Sequence, residues 1–273
     1  MDLSGARAFA YARTHSRRWR VVALLLGMLA TASTLRAQNL TVAAASDLQT
    51  VMPVLAEEFQ KATGQTIRVT YGSSGNFFSQ IQNGAPFDVF MSADASYPRQ
   101  LETSGLTVPG TIVVYGVGRI VLWARHDGRV DVSRGLQGLD SPTVRHIAIA
   151  NPSHAPYGRA AVSALQHERL YDRLKSKLVL GENVSQAAMF ADSGNADVGI
   201  IALSLALSPT LKNHGTYFLI PLDSYPPLEQ AAVIVKSSQH QDVGRKFLVF
   251  IRRPEIMRLM ESAGFALPAE RGR

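Results

Sequence analysis

Apolar and polar positions along this chain switch repeatedly between two periods. Leu40 to Ala45 is a short unbroken apolar run, the pattern of a buried strand. Leu48, Val51, Met52, Leu55 and Phe59 then recur at helical spacing. Ser46 or Asp47 is the expected N-cap of that helix. Pro53 lacks an N–H and crowds the preceding turn, so either the helix bends there or its regular part begins there. Thr66 to Tyr71 alternates as a strand, Gly72 to Gly75 turns the chain, and Phe77, Phe78 and Ile81 mark a short helix stopping at Asn83-Gly84.

The same alternation continues. Strands are predicted at Phe87 to Met91, Ile120 to Ala124, His146 to Ala150, Lys177 to Leu180, Ala196 to Ala202, Tyr217 to Pro221 and Ala231 to Lys236. Helices are predicted from Tyr157 to Leu170 and from Val184 to Asp192. Another presents Val243, Phe247, Phe250 and Ile251 inward, and a last one starts at Pro254. Strands alternating with helices imply an α/β fold with mostly parallel sheets. Two runs of such units suggest two lobes, residues 38–116 with 228–273 and residues 117–227, with crossings near Val113 to Gly118 and Leu222 to Leu228. Ligands of such sheets bind beyond the carboxyl ends of the strands. The loops at Ser46-Asp47, Gly72 to Gly75, Ala155 to Gly158 and Gly181 to Val184 should therefore meet in the cleft between the lobes.

Composition changes this picture at the N-terminus. Arg13, Arg17, Arg18 and Arg20 precede an apolar run from Val21 to Ala32, too short for a comfortable membrane span, and Leu35-Arg36-Ala37 offers a cleavage site before Gln38. Residues 1–37 are expected to be an export signal, of the general secretory rather than the twin-arginine type, delivering the protein to the periplasm. That segment carries six arginines and one acid, so without it the net charge falls from +7 to +2. The basic stripe that a nucleic-acid partner would need is then missing. The absence of cysteine excludes disulfides, thiolate metal sites and a cysteine nucleophile.

The chemistry at the four loops is that of hydrogen-bond donors. A helix N-terminus presents unpaired N–H groups and a partial positive charge, so four of them with the hydroxyls of Ser46 and Ser74 alongside form an anion cage. The proposed donors are those hydroxyls and the main-chain N–H groups of Ser46 or Asp47, Ser74, Tyr157 and Val184. None is charged. Hydrogen bonds to an ion contribute about 1.5–3 kcal/mol each, sufficient together for micromolar or tighter binding after ordering costs. Neutral donors also select, because a fully deprotonated tetrahedral dianion offers acceptors only. A protonated phosphate brings an O–H with nowhere to donate unless Asp47 turns inward. Asp47 is expected as N-cap, its side chain turned from the ligand, with ligand contact as the alternative.

Other polar residues nearby have plainer readings. Ser73 reads as an ordinary turn residue, His154 as a surface histidine without a metal-spaced partner, and Arg159 as solvated or salt-bridged. Asp88 and Asp94 read as structural acids, since a carboxylate pair would repel an anion. An exported serine hydrolase using Ser74 is the rival class. The nucleophile turn G-x-S-x-G does not fit Gly72-Ser73-Ser74-Gly75-Asn76, however, and no base is identifiable. No catalytic residue, metal-ion ligand or cofactor is assigned.

AAASDL at 43–48, YGSSGNF at 71–77, GAPFDVFMSAD at 84–94, NPSHAPYGRAA at 151–161 and GENVSQA at 181–187 resemble, in order, the periplasmic molybdate-binding proteins, ModA type, of ABC importers. The resemblance runs from Asn39 to about Phe265 and implies a type II periplasmic binding protein whose lobes close on molybdate or tungstate. The bound anion would pass to a membrane permease and its ATPase, and a monomer is expected. It places the family's first-loop serine on Ser46, the second-loop serine on Ser74, and the backbone donors on Tyr157 and Val184. The molybdate oxygens, not the metal, are what these residues would hold. Where the family has a tyrosine donor this chain has Ala202, so that donor is lost or is replaced by the Tyr157 side chain or the Asp47 amide. Sulfate, phosphate or another solute on the same fold is the alternative ligand.

Overall fold

The computed structural model describes residues 39–268; the expected export signal and its cleavage site lie outside them. In chain order the elements are β1 (Asn39–Ala45), a 3-10 turn (Ser46–Leu48), α1 (Met52–Thr63), β2 (Thr66–Gly72), α2 (Ser74–Gln82), β3 (Val89–Ser92), α3 (Ser96–Thr103), β4 (Val113–Gly118) and β5 (Ile120–Arg125). A 3-10 stretch (Val132–Asp140) leads to β6 (Ile147–Ala150), α4 (Pro156–His167), α5 (Tyr171–Leu174), β7 (Leu178–Gly181), α6 (Val184–Asp192) and β8 (Val198–Ala202). Then come α7 (Leu203–Ala206), α8 (Pro209–His214), β9 (Gly215–Leu219), β10 (Leu228–Ile234), α9 (Gln241–Phe250) and α10 (Pro254–Ser262).

The strands form two five-stranded sheets, ordered β2-β1-β3-β10-β4 and β7-β6-β8-β5-β9. The fold is therefore α/β and two-lobed, but each sheet is mixed rather than simply parallel. β1 runs parallel to β2 and β3, and β6 parallel to β7 and β8, whereas β10 and β5 run antiparallel to both their neighbours. The reversal has a topological cause. β4 leaves the first lobe toward the cleft and, after Arg119 alone, continues as β5 in the second; β9 leaves the second and, past Pro226 and Pro227, returns as β10. A strand that enters a lobe from the cleft must run away from it, opposite to strands whose carboxyl ends point into it.

The first sheet is covered on both faces, as its apolar strands require. Leu40, Val42 and Ala44 share a core with Leu55, Phe59, Phe247 and Phe250, while Ala43 lies in a second core with Phe77, Phe90 and Leu101. Phe59 meets Phe247 and Phe250 edge-on, with ring centroids 5.4 and 5.3 Å apart. Full burial of such a ring contributes about 1.5–3 kcal/mol. The second lobe has its own core around Trp123, Ile147, Ile149, Leu165 and Ile200. No helix among the described residues is long and apolar enough to cross a membrane.

Candidate functional site

Four strand ends and the turns that follow them make the site. At the first, the chain forms the 3-10 turn Ser46–Leu48, and α1 starts only at Met52 with Pro53 in its first turn. Pro53 thus sits where its missing N–H costs nothing, and neither Ser46 nor Asp47 caps α1. The expectation of an N-cap at Asp47 is corrected on this point. At the second turn Ser73, not Ser74, is the cap, its Oγ accepting from the Asn76 N–H at 3.4 Å. Ser74 is the first helical residue. In the other lobe Ala155 precedes α4, with Pro156 and Tyr157 in its opening turn, and Asn183 caps α6 by accepting from Gln186 N–H at 3.0 Å. Tyr157 and Val184 therefore stand among first-turn residues whose N–H groups have no acceptor within their own helix.

These turns line one small cavity of about 10 Å³, bounded by Ser46, Asp47, Ser74, Tyr157 and Val184 together with Ala93 and small neighbours. That is below the roughly 300–1,000 Å³ of sites for drug-sized ligands. No lysine, arginine or histidine lines it. The two hydroxyls are set as donors. Ser74 Oγ accepts from the Ala93 N–H at 2.9 Å and Ser46 Oγ from the Ser185 N–H at 3.4 Å, so each retains its own hydrogen to give. Both serines are buried. The five residues expected from the sequence are thus brought together. Ala202 is not among the lining residues; it is fully buried in β8, opposite Ile120.

At the base of the cavity Asp47 Oδ2 accepts from Tyr157 Oη at 2.9 Å and from Gln230 Nε2 at 2.6 Å, while Gln230 Nε2 also lies 3.0 Å from Tyr157 Oη. Burial pushes the Asp47 carboxyl up to about 6, against the hydrogen bonds from Gln230 and Tyr157 that favour its ionised form. Burial and the nearby Asp47 raise the Tyr157 phenol well above its ordinary value. The Tyr157 hydroxyl is committed to Asp47, so the expectation that it replaces the donor missing at Ala202 is corrected. Sequence reasoning missed Gln230. It was detectable as the polar residue directly before the apolar run Ala231 to Val235, but the strand was expected to begin one residue later.

The rim of the cavity is closed by contacts between the lobes. Ser73 Oγ meets His154 Nδ1 at 2.9 Å, Gly75 N–H donates to the His154 carbonyl at 2.8 Å, and Asn76 hydrogen-bonds Glu182. His154, expected as a surface histidine without a metal-spaced partner, thus also bridges the lobes. Arg159 is salt-bridged, its Nη2 2.7 Å from Asp94 Oδ2 and its Nη1 3.1 Å from Tyr97 Oη. Asp88 is structural: Thr41, Ser238 and His240 all meet its carboxylate. Among the described residues no cluster of acids and histidines is placed to hold a metal ion.

Two α/β lobes closed on a small, cation-free, donor-lined cavity define a solute-binding protein, and the family model described as bacterial extracellular solute-binding protein matches residues 40–266. The molybdate-binding protein ModA of Azotobacter vinelandii is 38% identical over 90% of this chain and 96% of its own, and that of Rhodobacter capsulatus 39% over 76% and 80%. The solved periplasmic molybdate-binding protein of Azotobacter vinelandii superposes with a TM-score of 0.79 at 36% identity, covering 84% of this chain and 99% of that one. The chain belongs to the bacterial extracellular solute-binding proteins, and among them to the ModA type.

Proposed function

We propose that this protein is the solute-binding component of an ABC importer that captures molybdate, and tungstate with it, by neutral hydrogen bonds. The observation that carries the reading is the convergence of the Ser46 and Ser74 hydroxyls, each already accepting from a main-chain N–H, with the first turns of α4 and α6 on one cavity without a cation. The ligand's oxygens would take hydrogen bonds from those hydroxyls and from the N–H groups of Tyr157, Val184 and Ser46 or Asp47. The names of the relatives supply the choice of molybdate among oxyanions. The donor set supports a fully deprotonated anion; of the Asp47 carboxyl, Oδ2 is already taken by Tyr157 and Gln230, and Oδ1 has no hydrogen-bond partner.

In this reading residues 1–37 export the chain, and the lobes 38–116 with 228–273 and 117–227 rotate about the two crossings. A monomer then presents its closed surface to the permease, whose ATPase drives release. The relatives are named as binding proteins, and no catalysis is assigned here. Titration calorimetry of the purified protein tests the reading. One-to-one molybdate binding, displaced by tungstate and untouched by sulfate or phosphate, is expected. Binding of sulfate or phosphate without molybdate would keep the cage and discard the ligand.

A further inference from the structure

The donor cage leaves one charged group unexplained, the carboxyl of Asp47 on the wall of an anion's cavity. Asp47 is fully buried, as is Gln230, and Tyr157 nearly so. They come from three elements: the 3-10 turn after β1, the returning strand β10, and α4 of the opposite lobe. Gly118, the last residue before the outward crossing, lies directly beneath them. A Cβ there would come within 2.3 Å of Tyr157 Oη and 2.7 Å of Gln230 Nε2. The cluster therefore sits beside the outward crossing, with Gln230 on the strand that returns. Tyr157 extends from it to the anion cavity, which the same residue lines.

We propose that Asp47 is a positioning residue that holds Tyr157 in the closed molecule as a carboxylic acid, so that oxyanion capture takes up a proton at Asp47. The inference rests on the oxyanion reading of the same cavity. Closing the lobes strips water from the carboxyl and brings a dianion beside it, and both favour the neutral form. The groups that face Asp47 supply no compensating cation. Tyr157 of α4 and Tyr115 of β4 are held neutral by burial, Gln230 of β10 is uncharged, as is Ser204 of α7, which donates to the Asp47 main-chain carbonyl, and Asp47 Oδ1 has no hydrogen-bond partner. Arg119, at the crossing, acts on Tyr225. With the lobes apart, the carboxyl loses Tyr157, meets water and ionises in the ordinary range near 3.9.

The sign follows from the closed-state value of about 6. A group whose proton is held more tightly in the closed form favours closure fully below its open-form value, and that contribution is lost as pH rises through the closed-form value. Affinity for micromolar molybdate should therefore weaken by up to about a hundredfold from about pH 4 to about pH 7. Calorimetry in buffers of different ionisation enthalpy should find up to one proton taken up per anion within that window.

Asp47→Asn mimics the neutral acid. It is expected to bind with no uptake beyond that of the anion's own chemistry, which both proteins share, and to bind tighter than the wild type at about pH 7.5. Equal uptake in wild type and Asp47→Asn, or none in a wild type that binds, overturns the inference while leaving the cage intact. A wild type that binds no molybdate at any pH withdraws both readings. Difference infrared spectroscopy of the wild type alone gives a second check: a carboxylic-acid carbonyl band must grow when molybdate is added, and its absence overturns the inference whatever the variant does.

Discussion

Single side chains here divide into those that face the cavity and those that hold the fold, and substitution should separate them. Ser46→Ala and Ser74→Ala each remove a hydroxyl whose acceptor side is already occupied, by Ser185 and Ala93 respectively. Each is expected to weaken molybdate binding by about 1–3 kcal/mol in calorimetry, with little change in fold. Asp88 does the opposite kind of work. It is buried among Thr41, Ser238 and His240, and although burial raises its pKa, hydrogen bonds from Ser238, Thr41 and His240 outweigh that and hold it below the ordinary carboxylate value. Asp88→Ala is expected to lower the unfolding free energy by about 1–3 kcal/mol at neutral pH in urea titrations. Because the folded-state value is depressed, that contribution is present above the unfolded carboxylate range. The gap between wild type and variant should narrow as pH falls through the depressed value.

At the scale of elements, the approach of α2 to the turn before α4 decides whether the cleft can shut. Gly75 lies in the first turn of α2, and a Cβ there would come within 2.5 Å of the His154 carbonyl oxygen in the other lobe. Gly75→Ala should leave the ligand-free melting temperature unchanged or slightly raised, since alanine suits a helix. It should nevertheless reduce molybdate affinity at least about tenfold and shrink the ligand-induced rise in melting temperature. An unchanged affinity would show that the lobes close by another path.

The elements were largely legible in the sequence because most strands are apolar runs and most of the longer helices open on or beside a small, polar or proline residue. Val184 to Asp192 and the helix at Pro254 stand where periodicity placed them. What escaped were β4, the short helices α3, α5, α7 and α8, and the reversed strands. Ser96 to Thr103 has little apolar periodicity to read, and strand direction depends on where the chain crosses between lobes rather than on any local pattern. The four loops were legible as donors. Their closure against Asp47 and Gln230 was not, because a contact spanning 183 positions leaves no trace in spacing.

The whole molecule is held shut by few and mostly small contacts at its rim, as a reversible trap requires. Arg159 with Asp94 and Tyr97, and Ser73 and Gly75 with His154, join the lobes across the mouth. The Arg159–Asp94 pair is partly exposed, so its contribution should fall in the range of about 0.2–1 kcal/mol. Arg159→Ala is accordingly expected to raise the molybdate dissociation rate by about 1.4- to fivefold in stopped-flow chase experiments, with association nearly unchanged. A larger loss confined to association would place Arg159 in capture instead.

The position of β10 also sets an order of assembly. It lies between β3 and β4, so as the chain emerges from its N-terminus the edge strand β4 has no neighbour in the first sheet until residues 228–234 arrive. The five strands of the other sheet, from Ile120 to Leu219, emerge in one stretch before that. The part of the protein made second is therefore the first that can be completed, and the part made first is the last to settle.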